Sequence, residues 1–458
     1  METRCKYFRN EQPAERGLLS RINIPGNELL LVSAFSVLII GGLYFRPLTF
    51  AAFGLALAYL CYLPPEKSIE FMVFLMSFQS VFKFSSTSTS VFTFLQVIPI
   101  AKIILRKDYF QISKYCIGSL AVLLLYTAVF SFSGPLPMIR MVLGLVLLAV
   151  ILQGNMIGHI DIKRLVLFYS TGIIVSSVLA LTNAGVVKPY VSAVVVRLSD
   201  GSALTRFSGL YMNANYYSME VSLALAAHIV LYKNKESTLA ETLLFGSILT
   251  VFGVMSQSKT FVISLVLILL FLFSYQVRKD PRTLVLLAAG AALAFVFRDR
   301  LAGILGKNFS RFFELQEDST SLSDVTTGRS DIWALYLRTI FANPNVMLLG
   351  AGIEVQLHVA PHNAFIEMLF DLGIVGSAIY INALFSIKQH VPERMPFLIY
   401  AATLLLRMNT ANVFFYNNVY YYYLLLFLLM DKRTYQGIKI QQAEDEKHVS
   451  RFVLDVTI

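Results

Sequence analysis

Residues 137–153 read PMIRMVLGLVLLAVILQ. After Arg140 the run carries no charge, and its hydrophobicity has no period that would mark a helix lying half in water. A helix rises about 1.5 Å per residue, and about 20 apolar residues cross a bilayer, with a range of roughly 17 to 25. The stretch therefore reads as a membrane span and not as an amphipathic core helix. Working outward, runs of the same kind lie near 28–45, 47–63, 68–83, 90–105, 112–132, 164–182, 208–232, 240–257, 260–277, 283–297, 363–387, 396–414 and 417–430. These make about fourteen candidates. Several are short or joined by tight turns, so roughly twelve to fourteen spans are expected.

Composition points the same way. The 458 residues are 56% hydrophobic and 14% charged, with a mean hydropathy of +0.66. Soluble chains carry about 25% charged residues. The numbers exclude an ordinary soluble enzyme, a disordered chain and a disulfide-rich module. The net charge of +10 in such a chain suggests anionic headgroups and orientation signals, not nucleic acid. Cys5, Cys61 and Cys116 have no metal-like spacing and are expected as free thiols. The polar, basic opening METRCKYFRNEQPAERGLLSR shows no cleavable leader, and the first apolar run reads as a retained span.

Basic residues set the expected orientation. With a cytoplasmic N-terminus, alternate loops hold Lys67, then Arg106, Lys107 and Lys114, then Lys163 and Arg164, Lys233 and Lys235, Arg278, Lys279 and Arg282, and Lys388 and Arg394. The opposite short loops hold Arg46, Lys83, Arg140 and Lys259. This is the positive-inside pattern, with both termini cytoplasmic. The expected organisation is a cytoplasmic segment 1–27, a transmembrane bundle 28–297 with an outer loop 183–207, a large extracytoplasmic loop 298–361, C-terminal transmembrane helices 362–430 and a cytoplasmic tail 431–458. No clear internal repeat is visible, which counts against an inverted-repeat transporter.

Within the large loop, 298–316 reads as an amphipathic helix along the membrane surface, with Arg300, Lys307 and Arg311 on one face. The stretch EDSTSLSDVTTG is polar. A second helix is expected from near Ser330 to before Pro344, carrying Trp333, Tyr336 and Phe341.

Four stretches on the expected outer face carry chemistry. TRFSGLYMNANYYSME places Arg206 before a span and Asn213 and Asn215 at its start. SQSKT holds Lys259 in a tight turn, GRSDIW holds Arg329, and PHNAF holds His362 and Asn363 at the mouth of a span with Glu367 one turn below. Singly, each has a bland reading: a snorkelling Arg, an ordinary loop Lys, a structural His. Together, three cations and one imidazole suit a definite task. Cations hold a pyrophosphate, Arg bidentately. An imidazole with an ordinary pKa near about 6.5 takes a proton from a sugar hydroxyl at neutral pH. Glu367 or Asn363 is placed to orient it.

Other features carry less. Glu314, Glu317, Asp318 and Asp324 lack the spacing of a calcium loop. Tyr416 and Tyr420 to Tyr423 suit an interfacial belt. Glu220 and His228, eight apart on one span, read as one satisfied polar pair inside the bundle, Arg407 is a charge within a span, and Lys102 is expected to snorkel towards the cytoplasm.

The order RFSGLYMNAN, SQSKT, GRSDIW with NPNVMLLGAGIE, then PHNAFIEMLFDLGIVG resembles the O-antigen ligase and Wzy-type polysaccharide polymerase superfamily. The matching stretch covers roughly 200–376, under half the chain. The resemblance implies an all-α polytopic membrane protein of GT-C-like character in a bacterial inner membrane, with its active site facing the periplasm. It implies a metal-independent, inverting glycosyltransferase without cofactors. The donor is a glycan on undecaprenyl pyrophosphate, and the acceptor is a lipid-linked repeat unit or a lipid A core. Membrane lipids and a chain-length regulator are the other expected partners. By the same resemblance Arg206 and Lys259 bind the donor pyrophosphate, Arg329 positions donor or acceptor, and His362 is the base. Lys259 stands where Arg is common, which keeps the charge but loses the fork.

Three functions compete. A polymerase joins repeat units of a surface polysaccharide. A ligase moves finished polysaccharide to lipid A core, and shares these motifs. The many spans and the Lys variant favour the polymerase. A lipid-linked sugar flippase would put its charges at the midplane, whereas most of these lie at the outer mouth.

Overall fold

The computed structural model describes residues 26–83, 90–106, 109–154, 159–183, 195–197, 203–211, 213–279, 329–353, 355, 357, 359–387, 395–408 and 424–426. The expected surface helix 298–316, the acidic stretch after it, the span 283–297, the tyrosines at 416 and 420–423, and Cys5 lie outside the described residues, as do the side chain of Arg407 and most of the span 417–430.

The described chain is helical except for one short hairpin. Its elements are α1 (Gly26–Tyr44), α2 (Pro47–Tyr62), α3 (Pro65–Leu75) with a 3₁₀ turn (Met76–Phe78), α4 (Phe92–Leu95), α5 (Val97–Leu105), α6 (Lys114–Phe130), α7 (Pro135–Gln153) and α8 (Ile162–Thr182). Strands β1 (Val195–Arg197) and β2 (Ala203–Thr205) follow, then α9 (Ala214–Lys233), α10 (Leu239–Met255), α11 (Lys259–Lys279), α12 (Arg329–Ala342), α13 (Pro344–Leu349), α14 (Ala364–Ile387) and α15 (Met395–Met408). The strands pair antiparallel, Val195 opposite Thr205. They fall within the outer loop 183–207 and are an addition to the expected α architecture.

Three helices, α7, α8 and α14, are long and apolar enough to cross a membrane; shorter apolar helices include α2, α6 and α10. Two expected spans are broken. The run 68–83 forms the 11-residue α3 and then tightens into the 3₁₀ turn. The run 90–105 divides at Gln96 into α4 and α5. Pro99, in the first turn of α5, has no N–H for the Leu95 carbonyl, so the hydrogen-bond ladder is interrupted there while Gln96 keeps helical φ −62° and ψ −25° and Phe92–Leu105 stays one short apolar stretch.

Helix α9 is the axis of the bundle. It packs against α8, α10, α11 and α15, and every residue from Tyr217 to Tyr232 is buried. Its polar side chains are met from α8. The Ser177 and Tyr217 hydroxyls lie 2.6 Å apart, the Tyr169 hydroxyl donates to the Glu220 carbonyl at 3.0 Å, and Ser170 Oγ meets His228 Nε2 at 2.8 Å. The ring of His228 also stacks on Phe245, 4.9 Å between centroids. His228 is thus tied to Ser170 and Phe245, which replaces the expected pairing with Glu220.

These bonds make α8 and α9 antiparallel and define two ends. At one end, Arg164 Nε meets Glu70 Oε2 at 2.6 Å, Lys67 Nζ meets Glu70 at 3.2 Å, and Lys163 meets Glu241 at 3.1 Å. This joins α3, α8 and α10. Lys102 reaches the same end, as a snorkelling Lys does, and there donates to the Leu60 and Leu63 carbonyls, capping α2. Gln153 donates to the Ser386 carbonyl at 2.6 Å and accepts from Ser113 N at 2.8 Å, placing the ends of α7 and α14 beside the start of α6. The opposite end collects the starts of α2, α7, α9, α11 and α14. Cys61 is exposed and Cys116 buried, both as free thiols.

Helix α14 is not continuous. Gly373 has φ 65° and ψ −175°, a conformation open essentially only to glycine. The carbonyls released by this break are taken up. Ala351 N donates to Phe370 O at 2.7 Å, Gly352 N to Asp371 O at 3.1 Å, and the Tyr126 hydroxyl to Leu372 O at 2.9 Å. A Cβ at Gly373 would stand 2.5 Å from Gly350 N and from the Leu348 carbonyl. Gly373→Ala is therefore expected to destabilise the chain by at least about 3 kcal/mol. Thermal unfolding in detergent checks this, with Gly118→Ala, where a Cβ meets nothing within 4 Å, as the comparison inside regular helix.

Candidate functional site at the α9–α14 end

Two groups of side chains form at this end. The first is built around Arg206, directly after β2. Phe207 N donates to the Met255 carbonyl at 3.2 Å, which fastens the segment to the end of α10. Arg206 Nε donates to the Ser256 carbonyl at 3.0 Å and Nη2 to Asn215 Oδ1 at 2.8 Å. Asn213 caps α9, its Oδ1 accepting from Asn215 N at 2.7 Å. The Arg206–Ser256 bond joins stretches 50 residues apart in sequence. Arg206 is only 6% exposed, so it is no snorkelling headgroup contact. Its guanidinium is fixed between the α9 cap and the Ser256 turn.

That turn is itself constrained. Gln257 has φ 50°, a left-handed value uncommon outside glycine. Ser256, Gln257 and Ser258 are buried, and Ser258 Oγ lies 2.9 Å from Thr260 Oγ1. Lys259 is the first residue of α11, half-buried. It stands three residues from the carbonyl that Arg206 holds.

The second group surrounds His362. Asn363 caps α14, its Oδ1 accepting from Phe365 N at 3.0 Å and Ile366 N at 3.1 Å. His362, just before the cap, takes φ 51°. Glu367 lies one turn into α14 and is 2% exposed. Helix α12 holds the approach to His362. Trp333 Nε1 donates to the Pro361 carbonyl at 2.7 Å and the Tyr336 hydroxyl to the Val359 carbonyl at 3.0 Å. The Tyr336 ring meets Phe370 edge to face at 4.8 Å. The expected helix from Ser330 to before Pro344 is this one, with Arg329 as its first residue.

Burial, and then the nearby charge of Arg329, push the His362 imidazole below its usual range. At neutral pH it is therefore an uncharged ring able to accept a proton. Arg329 opens the helix whose Trp333 and Tyr336 hold the approach to His362. Hydrogen bonds join Arg206, Asn213, Asn215 and the Lys259 turn in one group, and α12 to the His362 turn in the other. Both groups sit at the end where α9, α11 and α14 begin. Among the described residues no cluster of three or more His, Cys, Asp or Glu could hold a metal ion.

Trp333 and Tyr336, expected only as helix residues, anchor the His362 turn. Their spacing of three, together with indole and phenol donors that seek partners when buried, is the sequence signal for this role. No family model, curated protein or solved structure matches this chain.

The acid limb of the stability curve tests the state of His362. Its unfolded imidazole takes up a proton near pH 6.5, and its folded one only at lower pH. The unfolded chain then binds more protons as the pH falls, so stability declines below about pH 7. His362→Asn, which tolerates the left-handed turn, is expected to lose less stability between about pH 7 and pH 5 than the unaltered chain. Parallel curves would contradict the assignment.

Proposed function

We propose that this chain is a multi-pass membrane glycosyltransferase that polymerises polyprenyl-pyrophosphate-linked oligosaccharide units at the outer face of a bacterial inner membrane. The observation that carries the reading is the geometry of the His362 turn, held by the Trp333–Pro361 bond and the Asn363 cap at the end of the bundle where α9 and α11, with Arg206 and Lys259, also begin. The apolar helices and the basic character of the opposite end, with Lys67, Lys102, Lys163 and Arg164, support an orientation with the His362 end outward.

The chemistry follows from the groups. An acceptor sugar hydroxyl attacks the anomeric carbon of the donor. The bond from that carbon to the pyrophosphate oxygen breaks, and its electron pair leaves with the pyrophosphate. The hydroxyl proton passes to the His362 imidazole. Attack opposite the leaving group inverts the anomeric centre. Negative charge grows on the departing pyrophosphate, and fixed cations in a medium of low dielectric oppose it without reorganising. Lys259, at the mouth of its turn, and Arg329, beside the base, are assigned to this charge. Arg206 holds the Ser256 turn in place and adds its own field. Asn363 fixes the backbone that presents His362, and Asn213 and Asn215 fix Arg206. In this reading no metal takes part.

Purified chain given a polyprenyl-pyrophosphate-linked repeat unit is expected to yield oligomers and free polyprenyl pyrophosphate, with chelator present. His362→Asn should slow release by about 10²–10⁴-fold. A near-normal ladder from that variant would overturn the role of the base. Lys259→Ala should weaken donor use, and Lys259→Arg should restore it. Transfer only to lipid A core, with no oligomers, would replace the polymerase by a ligase.

A further inference from the structure

Helices α6 and α7 form a hairpin that is pinned at both ends and open between them. At the Glu70 end, Gln153 of α7 accepts from Ser113 N, just before α6, at 2.8 Å. At the other end the turn 131–134 is tied to the loop that leads to His362. Ile353 N donates to the Ser131 carbonyl at 3.0 Å, and Ser133 Oγ donates to the Ile353 carbonyl. Between these ties α6 packs mainly against α14 and α7 mainly against α5, so the two helices part. The space between them is a groove of about 140 Å³. Leu120, Ala121 and Leu124 of α6 and Met141, Val142 and Leu145 of α7 line it.

These side chains are all aliphatic or a thioether. They lie near the middle of their helices, and Ala121 and Leu124 are exposed. In a chain that crosses a bilayer, such a groove faces the hydrocarbon centre, where the occupant is a lipid tail. Its size selects among tails. A cavity of roughly 150 Å³ lined by aliphatic side chains takes up a benzene ring, and one isoprene unit has a similar bulk. A straight acyl chain, one methylene wide, leaves part of such a space without contacts. The ties of the outer turn to Ile353 join the groove to the loop that continues to His362, so a tail lying in it leads towards the candidate site. We propose that the groove between α6 and α7 seats part of the polyprenyl tail of the donor at mid-bilayer depth, with the pyrophosphate towards the His362 end. This rests on the lipid-linked donor proposed above and adds where its tail lies.

Native mass spectrometry of the detergent-solubilised full chain tests this, with undecaprenyl phosphate and phosphatidylglycerol added in equal amounts and no glycan donor. The chain should retain undecaprenyl phosphate about tenfold over phosphatidylglycerol. Ala121→Phe and Val142→Phe, which fill the groove, should each lower that ratio at least about threefold. Leu125→Phe, at an exposed position outside the lining, should leave it unchanged. Should Val142→Phe not fold, Ala121→Phe, on the exposed side of α6, decides alone. Equal retention of the two lipids, or a ratio unchanged by the filling variants, would overturn the groove as the seat of the tail. Loss of phosphatidylglycerol alone on Ala121→Phe would assign the groove to an ordinary acyl chain, and loss of a dimer would assign it to a second copy of the chain; either overturns the proposal. A chain that retains undecaprenyl phosphate in this groove but forms no oligomers contradicts the proposed function and leaves the seat standing. Normal oligomer yield from Ala121→Phe with a full-length donor contradicts the seat and leaves the function standing.

Discussion

At Gly373 the backbone of α14 leaves helical geometry, and the loop through Gly350–Gly352 fits into the gap. In an apolar interior a helix can open only where other groups take up its freed carbonyls. At this break the amides of Ala351 and Gly352 and the hydroxyl of Tyr126 do so. The same contact fixes the segment between α12 and α14. Glycine is required on both sides, because a Cβ at either Gly350 or Gly373 would enter the opposing backbone. The start of α14, with Asn363 as its cap and His362 before it, is thereby held against α12. The position of the imidazole follows from a backbone junction more than ten residues away in sequence.

Electrostatics divides the bundle into two ends with different character. At the Glu70 end, carboxylates meet Lys67, Arg164 and Lys163, and charge is paired across three helices. The carboxylates are buried while Lys67, Lys163 and Arg164 are 34%, 31% and 20% exposed, so solvent screens each pair in part, and the contacts act mainly by fixing which helices meet. At the other end stand Arg206, fixed by Ser256 and Asn215, Lys259 at the start of α11, Arg329 at the start of α12, and Arg46, which donates to the Lys83 carbonyl. Asp331 and Glu367, in the first turns of α12 and α14, stand at the same end, so its charge is mixed. Burial and the charge of Arg329 keep the His362 ring neutral, which leaves its lone pair open to a proton and at the same time lowers its basicity.

Much of this is legible in the sequence, for identifiable reasons. Uninterrupted apolar runs mark the positions of α7, α8 and α14, because hydropathy alone decides those segments. Residue type and order single out Arg206, the SQSKT turn, Arg329 and His362, but not the bond from Arg206 to the Ser256 carbonyl. The breaks are not. Gln96 and Pro99 divide an apolar run that hydropathy reads as one span, and the Gly373 break shows only when Gly350 and Gly352 are recognised as its counterpart. Ser170 as the partner of His228 cannot be read, because bonds between helices depend on their rotation. The same applies to Lys102, whose long chain reaches two carbonyls at the end of α2.

The central claim is that one lipid-linked pyrophosphate lies between the Ser256–Lys259 turn and His362. A cryo-electron microscopy structure of the full chain in a lipid nanodisc, with a non-hydrolysable polyprenyl-pyrophosphate glycan, measures this directly. The account predicts pyrophosphate density within hydrogen-bonding reach of Lys259 or Arg329, with the anomeric carbon facing a space beside the His362 ring. Density for the pyrophosphate at the Glu70–Arg164 end, or with His362 walled off from it by intervening helices, would contradict it.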